Sequence, residues 1–145
     1  MSQSNSHQTY TIADCRIIRL QREHFPQGNL SVVENFRQLP YDIKRVYYLY
    51  DVPSGESRGG HSHLECVTFL VAVSGSFKVE LFDGKHRVQY TLYRPDEGLL
   101  ITPGIWRTLT DFSSASTCLV LASEEFSEAD YVRDIEQYRQ LTEGK

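Results

Sequence analysis

The sequence has few cysteines, no long apolar run and no excess of positive charge. Only 3 cysteines occur in 145 residues, far apart and without zinc-ligand spacing, so the sequence predicts neither a disulfide framework nor a zinc finger. No apolar stretch approaches the roughly 20 residues that a membrane-spanning helix needs. The formal net charge of -4 provides no basic field to hold a nucleic-acid backbone. These absences favour a cytoplasmic protein with reduced cysteines that binds neither membranes nor nucleic acids.

What the chain does contain is a series of short apolar segments rich in β-branched and aromatic residues. Turn signals built from glycine, proline, serine and aspartate separate them, and this alternation is typical of an all-β sandwich or barrel. The turn sequences VSGS and DGK predict a hairpin before and after the segment FKVELF. Strands are predicted at 15–20, 30–36, 45–52, 66–73, 77–82, 87–93, 98–102 and 117–123.

The two ends of the chain differ from this middle part. Residues 1–9 are polar and lack the apolar core of a signal peptide, so we expect a disordered lead before one domain over 10–145. Over 127–141 the apolar period is that of a helix. Ser127 and Asp130 resemble a capping box at its start. The residues predicted to share one helical face, packed on the barrel or on a partner, are Tyr131, Ile135, Tyr138 and Leu141.

The segment RGGHSH at 58–63 places His61 and His63 two residues apart, just before an apolar run. Residues at this spacing share one face of an extended strand. The pair admits several interpretations: metal ligands, acid/base catalysts, or a polar strand end without a chemical role.

The surroundings of this pair resemble the motifs of the cupin superfamily, which are β-barrels of the jelly-roll type. Residues 55–63 match the first half of the first cupin motif, but Thr68 stands where the motif has a metal-binding glutamate. The turn at Pro103 fits the second motif, but tryptophan and arginine occupy its ligand region, at Trp106 and Arg107. A catalytic metal needs about three protein ligands, and nearby arginines repel a dication. We therefore expect a cupin barrel without a metal ion.

Acid/base chemistry remains for the histidine pair. Histidine titrates near neutrality and can both take and give a proton within one turnover. Two imidazoles with cations and tyrosines nearby suit the movement of a proton between adjacent carbons through an enediol. Cationic side chains could hold a diphosphate or stabilise the enediolate oxygen. The candidates for this role are Arg58, Lys44 and Arg45.

Over about residues 30–138 the sequence resembles the sugar-nucleotide 3,4-ketoisomerases, the WxcM-like or FdtA/QdtA-type cupins. The resemblance is carried by IKRVYYLYDVPSGESRGGHSH, SGSFKVELFDG, GLLITPGIW and DFSSASTCLVLASEEFSEADYVRDIEQY. It implies isomerisation of a dTDP-4-keto-6-deoxy sugar to the 3-keto form in deoxyamino-sugar and O-antigen polysaccharide biosynthesis, with no cofactor. It also implies homodimers in which N-terminal strands cross to the partner barrel.

The resemblance further implies the site residues. His61 and His63 would shuttle a proton between sugar carbons 3 and 4, and Arg58 would be a further catalytic residue that contacts the substrate. Tyr47 and Tyr48 lie on opposite faces of a strand, so only one can point inwards; Tyr48 is our preference as a catalytic residue. Trp106 is either a wall of the site or barrel core. The residues expected to bind substrate are Arg45, Tyr47, Lys44, Trp106 and Arg107.

Some positions depart from the family pattern and leave alternatives open. Thr68 replaces a common glutamine, Thr108 replaces an acidic residue, and Gln27 replaces an arginine of an N-terminal Asp-x-Arg-Gly-x-Leu run. These changes concern the sugar or nucleotide more than the histidines. The alternatives are an epimerase of a similar keto sugar, a sugar-nucleotide-binding cupin without catalysis, and a metal-dependent enzyme.

Overall fold

The computed structural model describes residues 9–143, so positions 1–8 of the predicted lead lie outside the described residues. Within this range the chain forms twelve strands and one α-helix, and no helix there is long and apolar enough to cross a membrane. Two short 3₁₀ helices cover Ile12–Asp14 and Glu128–Asp130. The strands are β1 (Arg16–Arg19), β2 (Arg22–Phe25), β3 (Gly28–Ser31), β4 (Arg45–Tyr50), β5 (Arg58–His63), β6 (Thr68–Ser74), β7 (Phe77–Phe82), β8 (Arg87–Leu92), β9 (Glu97–Ile101), β10 (Trp106–Thr110), β11 (Thr117–Ala122) and β12 (Tyr131–Val132), and the helix is α1 (Ile135–Thr142).

Ten of these strands form two antiparallel five-stranded sheets. The first has the order β1-β9-β6-β11-β4 and the second the order β12-β5-β10-β7-β8, while β2 and β3 form a separate hairpin. The two sheets face each other across a core of aliphatic and aromatic side chains that includes Leu70, Phe77, Leu99 and Val120. This arrangement confirms the predicted all-β cupin barrel with a C-terminal helix.

Two further apolar clusters cover the outer faces of the sheets. On the first sheet, Phe69 and Leu121 point away from the barrel and pack against Leu39 and Tyr41 of the long segment before β4. Strand β6 is therefore buried on both faces, which explains its continuous apolar sequence. The outer cluster on the second sheet lies under α1 and comprises Phe82, Trp106, Val132 and Tyr138.

The strand predictions hold in the middle of the chain and fail at one connection and several strands. DGK joins β7 to β8 in the expected hairpin, but VSGS carries the chain from β6 in one sheet to β7 in the other. That turn needs a positive φ at Gly75 (68°), where a Cβ would lie 2.6 Å from Ser113 and Ser116. The predicted strand over 30–36 ends at Ser31, and β2, β5 and β10 lie outside the predicted strand ranges.

The predicted helix over 127–141 begins too early. The α-helix starts at Ile135 with Asp134 as its N-cap, while Ser127 makes no side-chain capping bond. Residues 131–132 pair instead with β5 as a strand, which fixes an extended backbone where the apolar period suggested a helix. Leu141 stays half exposed, and Tyr138 is the buried aromatic that anchors the helix. Its hydroxyl lies 2.9 Å from the Phe82 carbonyl oxygen and 2.7 Å from that of Gly104.

Candidate active site

A cavity of about 220 Å³ opens inside the barrel between the two sheets. Three arginines and a histidine contribute to its wall, and no carboxylate from residues 9–143 lines it. The interior is therefore cationic on one side and apolar on the other, which suits an anionic ligand with an apolar or ring-shaped part. The lining side chains are Tyr47, Leu49, Arg58, His61, Leu70, Arg107, Leu109, Val120, Tyr131 and Arg133.

A bulge in β5 brings Arg58 and His61 to the same side of the strand. Three residues of spacing place side chains on opposite faces of a regular strand. Here, however, Arg107 pairs with His61 and Leu109 pairs with Arg58, so two residues along β10 correspond to three along β5. Such a bulge re-aims a side chain. The glycines between Arg58 and His61 fit this role, and a Cβ at Gly60 would lie 3.7 Å from the Trp106 ring.

The two histidines of the pair occupy different places. His61 lines the cavity, whereas His63 is fully buried behind it and does not line the cavity. Their ring centroids are 4.8 Å apart with the planes almost perpendicular. The ring of Tyr131 contacts both, at 4.9 Å from His61 and 4.5 Å from His63. The three rings form one cluster, of which His61 and Tyr131 line the cavity.

His63 is held by a carboxylate. Its Nδ1 lies 2.9 Å from Asp130 Oδ2, and Asp130 Oδ1 accepts the backbone N–H of Glu65 at 2.7 Å. Burial, and then the positive charge of Arg107, lower the pKa of His63 to about 2, so the ring is neutral at ordinary pH. The Nε2 atom of His63 is buried without a hydrogen-bond partner in the described part of the chain.

Arg107 is a fully buried cation in the floor of the cavity. Its Nη1 donates to Thr68 Oγ1 at 2.6 Å and its Nη2 to the Ile105 carbonyl at 3.4 Å, while Nε has no partner among residues 9–143. Burial lowers the pKa of the guanidinium, and no salt bridge to a carboxylate compensates it in the described chain. Such a charge is costly to bury unless an anion pairs with it. Thr68, at the metal-ligand position of other cupins, serves here as the acceptor for this arginine.

The structure selects Tyr47 and not Tyr48. Tyr47 lines the cavity, whereas Tyr48 is 58% exposed on the outer face of β4, so the expectation that Tyr48 points inwards is wrong. The register of β4 against β11 decides this, because it alternates Arg45, Tyr47 and Leu49 towards the barrel. Burial raises the pKa of Tyr47 to about 12. Its hydroxyl therefore stays protonated and can donate a hydrogen bond into the cavity.

The other predicted substrate contacts divide into two groups. Arg45 lies beside the cavity with its guanidinium carbon 5.3 Å from the Tyr47 ring and 5.9 Å from that of Tyr131, distances typical of cation–π contacts. Lys44 is exposed before β4 and does not line the cavity. Trp106 points away from Arg107 into the cluster under α1, with its ring 5.5 Å from that of Tyr138. It lies in this outer cluster and not in the barrel interior, so its expected place in the cavity wall is wrong.

A model of the family described as FdtA: WxcM-like, C-terminal matches residues 13–143. The chain belongs to this family. A TDP-4-oxo-6-deoxy-alpha-D-glucose-3,4-oxoisomerase from Aneurinibacillus thermoaerophilus is 36% identical over 124 residues, which cover 86% of this chain and 89% of the relative.

Solved structures agree with this FdtA/WxcM-like assignment. A mutant of the 3,4-ketoisomerase QdtA from Thermoanaerobacterium thermosaccharolyticum, in complex with TDP-4-keto-6-deoxyglucose, superposes with a TM-score of 0.90 and 32% identity. The match covers 93% of this chain and 98% of QdtA. A 3,4-ketoisomerase from Helicobacter canadensis gives a TM-score of 0.87 and 34% identity, over 89% of this chain and 97% of that one.

One group of side chains in this FdtA/WxcM-like site resembles a metal centre. His63, Cys66 and Asp130 each offer a ligand atom, and these atoms lie within 4.8 Å of one another. All of them already take part in hydrogen bonds, the Cys66 thiol with the Val67 carbonyl at 3.4 Å. The positive charge of Arg107, which lowers the pKa of His63, also disfavours a dication there. The group therefore fits a hydrogen-bonded cluster better than a cation site.

Sequence reasoning missed three residues that the C-terminal segment of the family member supplies. Tyr131 and Arg133 line the cavity and Asp130 binds His63, although this segment was predicted to be helical. The guanidinium carbon of Arg133 lies 4.1 Å from the centroid of the Tyr131 ring. The Nε atom of Arg133 donates a hydrogen bond to Glu128 Oε2 at 2.7 Å. The sequence DYVRD lies in a segment that resembles the family and so carried a signal for this site, but its apolar period favoured a helix.

Proposed function

We propose that this protein interconverts the 4-keto and 3-keto forms of a dTDP-linked 6-deoxyhexose, in the supply of deoxyamino sugars for polysaccharides such as O-antigen. One observation of the structure supports this most directly: His61 opens into a barrel cavity whose only charged side chains, within residues 9–143, are arginines. A base beside several fixed cations suits the abstraction of a proton next to a carbonyl, because the cations stabilise the enediolate that forms. The family and its relatives with this activity agree with the proposal.

The reaction moves one proton between neighbouring carbons. A base takes the proton from sugar carbon 3 while the oxygen on carbon 4 gains a proton, which gives an enediol with a double bond between the two carbons. Carbon 4 is then protonated and the hydroxyl on carbon 3 loses its proton, so the carbonyl stands on carbon 3. No electrons leave the sugar, and the step needs no external oxidant or reductant. We assign the acid and base roles to His61 and His63.

The cations divide between the sugar and the diphosphate. The cavity is large enough for a hexose ring but not for a whole sugar nucleotide, so the nucleotide extends towards the opening. We assign Arg107 and Tyr47 to the sugar oxygens, since Arg107 is fully buried and Tyr47 half-buried in the cavity wall. Arg58 and Arg133 are the more exposed arginines of the lining, and Arg45 lies over the same Tyr131 ring as Arg133. They are suited to the diphosphate, for which arginine offers several donors.

The test is proton NMR of the purified protein with TDP-4-keto-6-deoxyglucose in deuterated water. Growth of a 3-keto product with deuterium on a sugar carbon supports the proposal, and the couplings of the product give the configuration at carbon 4. Deuterium at carbon 3 or carbon 5 with the keto group still on carbon 4 identifies an epimerase. Binding of TDP without exchange or product identifies a sugar-nucleotide-binding cupin. Loss of activity on metal removal, restored by one metal, would identify a metal-dependent enzyme.

We also propose that the protein works in the cytoplasm as a homodimer with exchanged N-terminal strands. The outer face of β4 and the β2–β3 hairpin expose apolar side chains: Phe25, Leu30, Val46, Tyr48 and Tyr50. A second copy would cover this surface and the edge of the first sheet. Analytical ultracentrifugation should give a dimer for the native protein and a monomer for the variant Val46→Glu/Tyr50→Glu. A native protein that sediments as a monomer at micromolar concentration would refute this assembly.

A further inference from the structure

We propose that Asp130 is a positioning residue, which holds His63 in the tautomer with its proton on Nδ1 and a free lone pair on Nε2. The inference rests on the proposed isomerase function and adds to it a residue outside the histidine pair. Asp130 does not line the cavity, so it acts on the reaction only through His63.

The contacts of Asp130 define the direction of its hydrogen bonds. A backbone N–H can only donate, so Asp130 Oδ1 is the acceptor for Glu65 N at 2.7 Å. An ionised carboxylate has only acceptor atoms. The second oxygen, 2.9 Å from His63 Nδ1, therefore accepts as well, and Nδ1 carries the proton.

The backbone fixes the carboxylate at this place. Asp130 ends the 3₁₀ helix Glu128–Asp130, where its N–H donates to the Ser127 carbonyl at 3.0 Å and its carbonyl accepts from Leu64 N at 2.9 Å. The next residue, Tyr131, then pairs with His63 in the register between β12 and β5. Backbone bonds on both sides of Asp130 thus hold its side chain against the imidazole.

The environment of His63 makes the choice of tautomer important. Burial and the neighbouring cations keep the ring neutral, so only one of its two nitrogens, Nδ1 or Nε2, carries a proton. With Nδ1 bound to Asp130, Nε2 keeps a lone pair that no atom among residues 9–143 engages. The ring contacts His61 and Tyr131, which both line the cavity. His63 can then accept a proton in the shuttle, whereas the opposite tautomer would turn Nε2 into a donor.

The experiment compares Asp130→Asn with Asp134→Asn. Asparagine at 130 keeps an oxygen for the Glu65 N–H but turns an NH₂ group towards His63 Nδ1, which forces the proton to Nε2. Asp134 also caps a backbone N–H, that of Glu136 at 2.9 Å, but it is exposed and does not contact a histidine. Asparagine caps a helix about as well as aspartate, so this variant is the matched control. The tautomer of His63 is measured by ¹⁵N NMR of histidine-labelled protein, assigned with His63→Gln.

In the native protein we expect the ¹⁵N signals of His63 to show a protonated Nδ1 and an unprotonated Nε2 at neutral pH. In Asp130→Asn the two assignments should exchange, with kcat lower by roughly 10²–10⁴-fold and KM changed by less than about threefold. Asp134→Asn should leave both readouts unchanged. A merely structural role of Asp130 would instead alter folding or KM without exchanging the tautomer.

Two results would overturn the inference. The first is an active native enzyme whose His63 is protonated at Nε2 or at both nitrogens, a measurement that needs no variant. The second is an exchanged tautomer in Asp130→Asn with kcat near the native value. If the native protein binds TDP but neither isomerises nor exchanges a sugar proton, the proposed function itself is wrong, and the role of Asp130 in it is wrong too.

Discussion

The two faces of strand β4 contrast within a single run of six residues, RVYYLY. The inner face turns Tyr47 and Leu49 into the cavity beside Arg45, whereas the outer face exposes Val46, Tyr48 and Tyr50. Both faces carry aromatic and apolar side chains, yet one faces buried cations and the other faces solvent or a second copy of the chain. Successive side chains of a strand point to opposite faces, so the position of a tyrosine in β4 decides whether it faces the cavity or the outside. Substitutions on the inner side should change turnover, and those outside should not.

The sharpest expected contrast concerns the histidine that opens into the cavity. His61→Asn should lower kcat by roughly 10²–10⁴-fold because it removes a proton-transferring group from the interior. Affinity for TDP, measured by calorimetry, should change little. His86→Asn, an exposed histidine after β7, is the matched control and should keep native activity. A His61→Asn protein with more than a tenth of the native kcat would contradict the role of His61.

Substitution of Arg107 should change activity and stability in opposite directions. Arg107→Met removes a buried cation without a carboxylate partner, so we expect turnover to be lost. Removal of the buried charge should raise the free energy of unfolding by about 1–3 kcal/mol. Loss of the hydrogen bond to the Thr68 hydroxyl should offset about 1 kcal/mol of this gain. Urea denaturation measures this. Arg87→Met, which breaks an exposed pair with Glu80, should change stability by less than about 1 kcal/mol. A strongly destabilised Arg107→Met would show that the charge is compensated in the native protein.

The neighbouring tyrosines allow the most direct test of the two faces. Tyr47→Phe removes a protonated hydroxyl from the cavity, and kcat/KM should fall roughly 10- to 100-fold if that hydroxyl binds a charged oxygen in the transition state. Tyr48→Phe makes the same chemical change one residue further on, outside the barrel. Steady-state kinetics should place Tyr48→Phe within about twofold of the native enzyme. Equal effects of the two substitutions would contradict the assigned faces.

The smallest expected effect is a pH dependence of stability caused by the buried histidine. His63 has a folded pKa lowered to about 2 from 6.5, so below pH 6.5 the unfolded chain binds a proton that the folded chain does not. The free energy of unfolding should therefore fall by about 1.4 kcal/mol for each pH unit below 6.5. His63→Gln should lack this contribution, whereas His86→Gln should keep it. Parallel pH profiles for His63→Gln and the native protein would contradict the burial of a neutral ring.

Much of the barrel could be predicted from the sequence because its signals are local. In segments such as FKVELF and RVQYTL, apolar and polar residues alternate, and a turn with glycine lies between the two segments. Each forms a strand with nearly the predicted bounds. The sequence WRTLT was missed because the arginine at its second position is a residue type usually found on the surface, although Arg107 is fully buried. The turn VSGS was misread because local turn chemistry does not reveal which sheet the next strand joins.

The site was predicted only in part, because some of its geometry depends on pairing between segments that are distant in sequence. The spacing of His61 and His63 pointed to a shared strand, but the β-bulge and the contact with Asp130 depend on pairing between distant segments. Tyr131 repeats with Ile135 and Tyr138 at helical spacing, so the period alone favoured a helix. Pairing with β5 overrode that preference over two residues. The choice between Tyr47 and Tyr48 likewise needed the register of β4 against β11.

The residues of the site come from two separate parts of the chain, the central strands of the barrel and the C-terminal segment that contains β12. The barrel contributes Arg58, His61 and Arg107 from its central strands, and the nine residues from Phe126 to Asp134 add Asp130, Tyr131 and Arg133. The only strand within these nine residues is the edge strand β12, so an exchange of the segment between relatives would leave the other strands of the two sheets unchanged. A set of chimaeras would then report separately on what each relative's tail segment and barrel contribute to the choice of sugar.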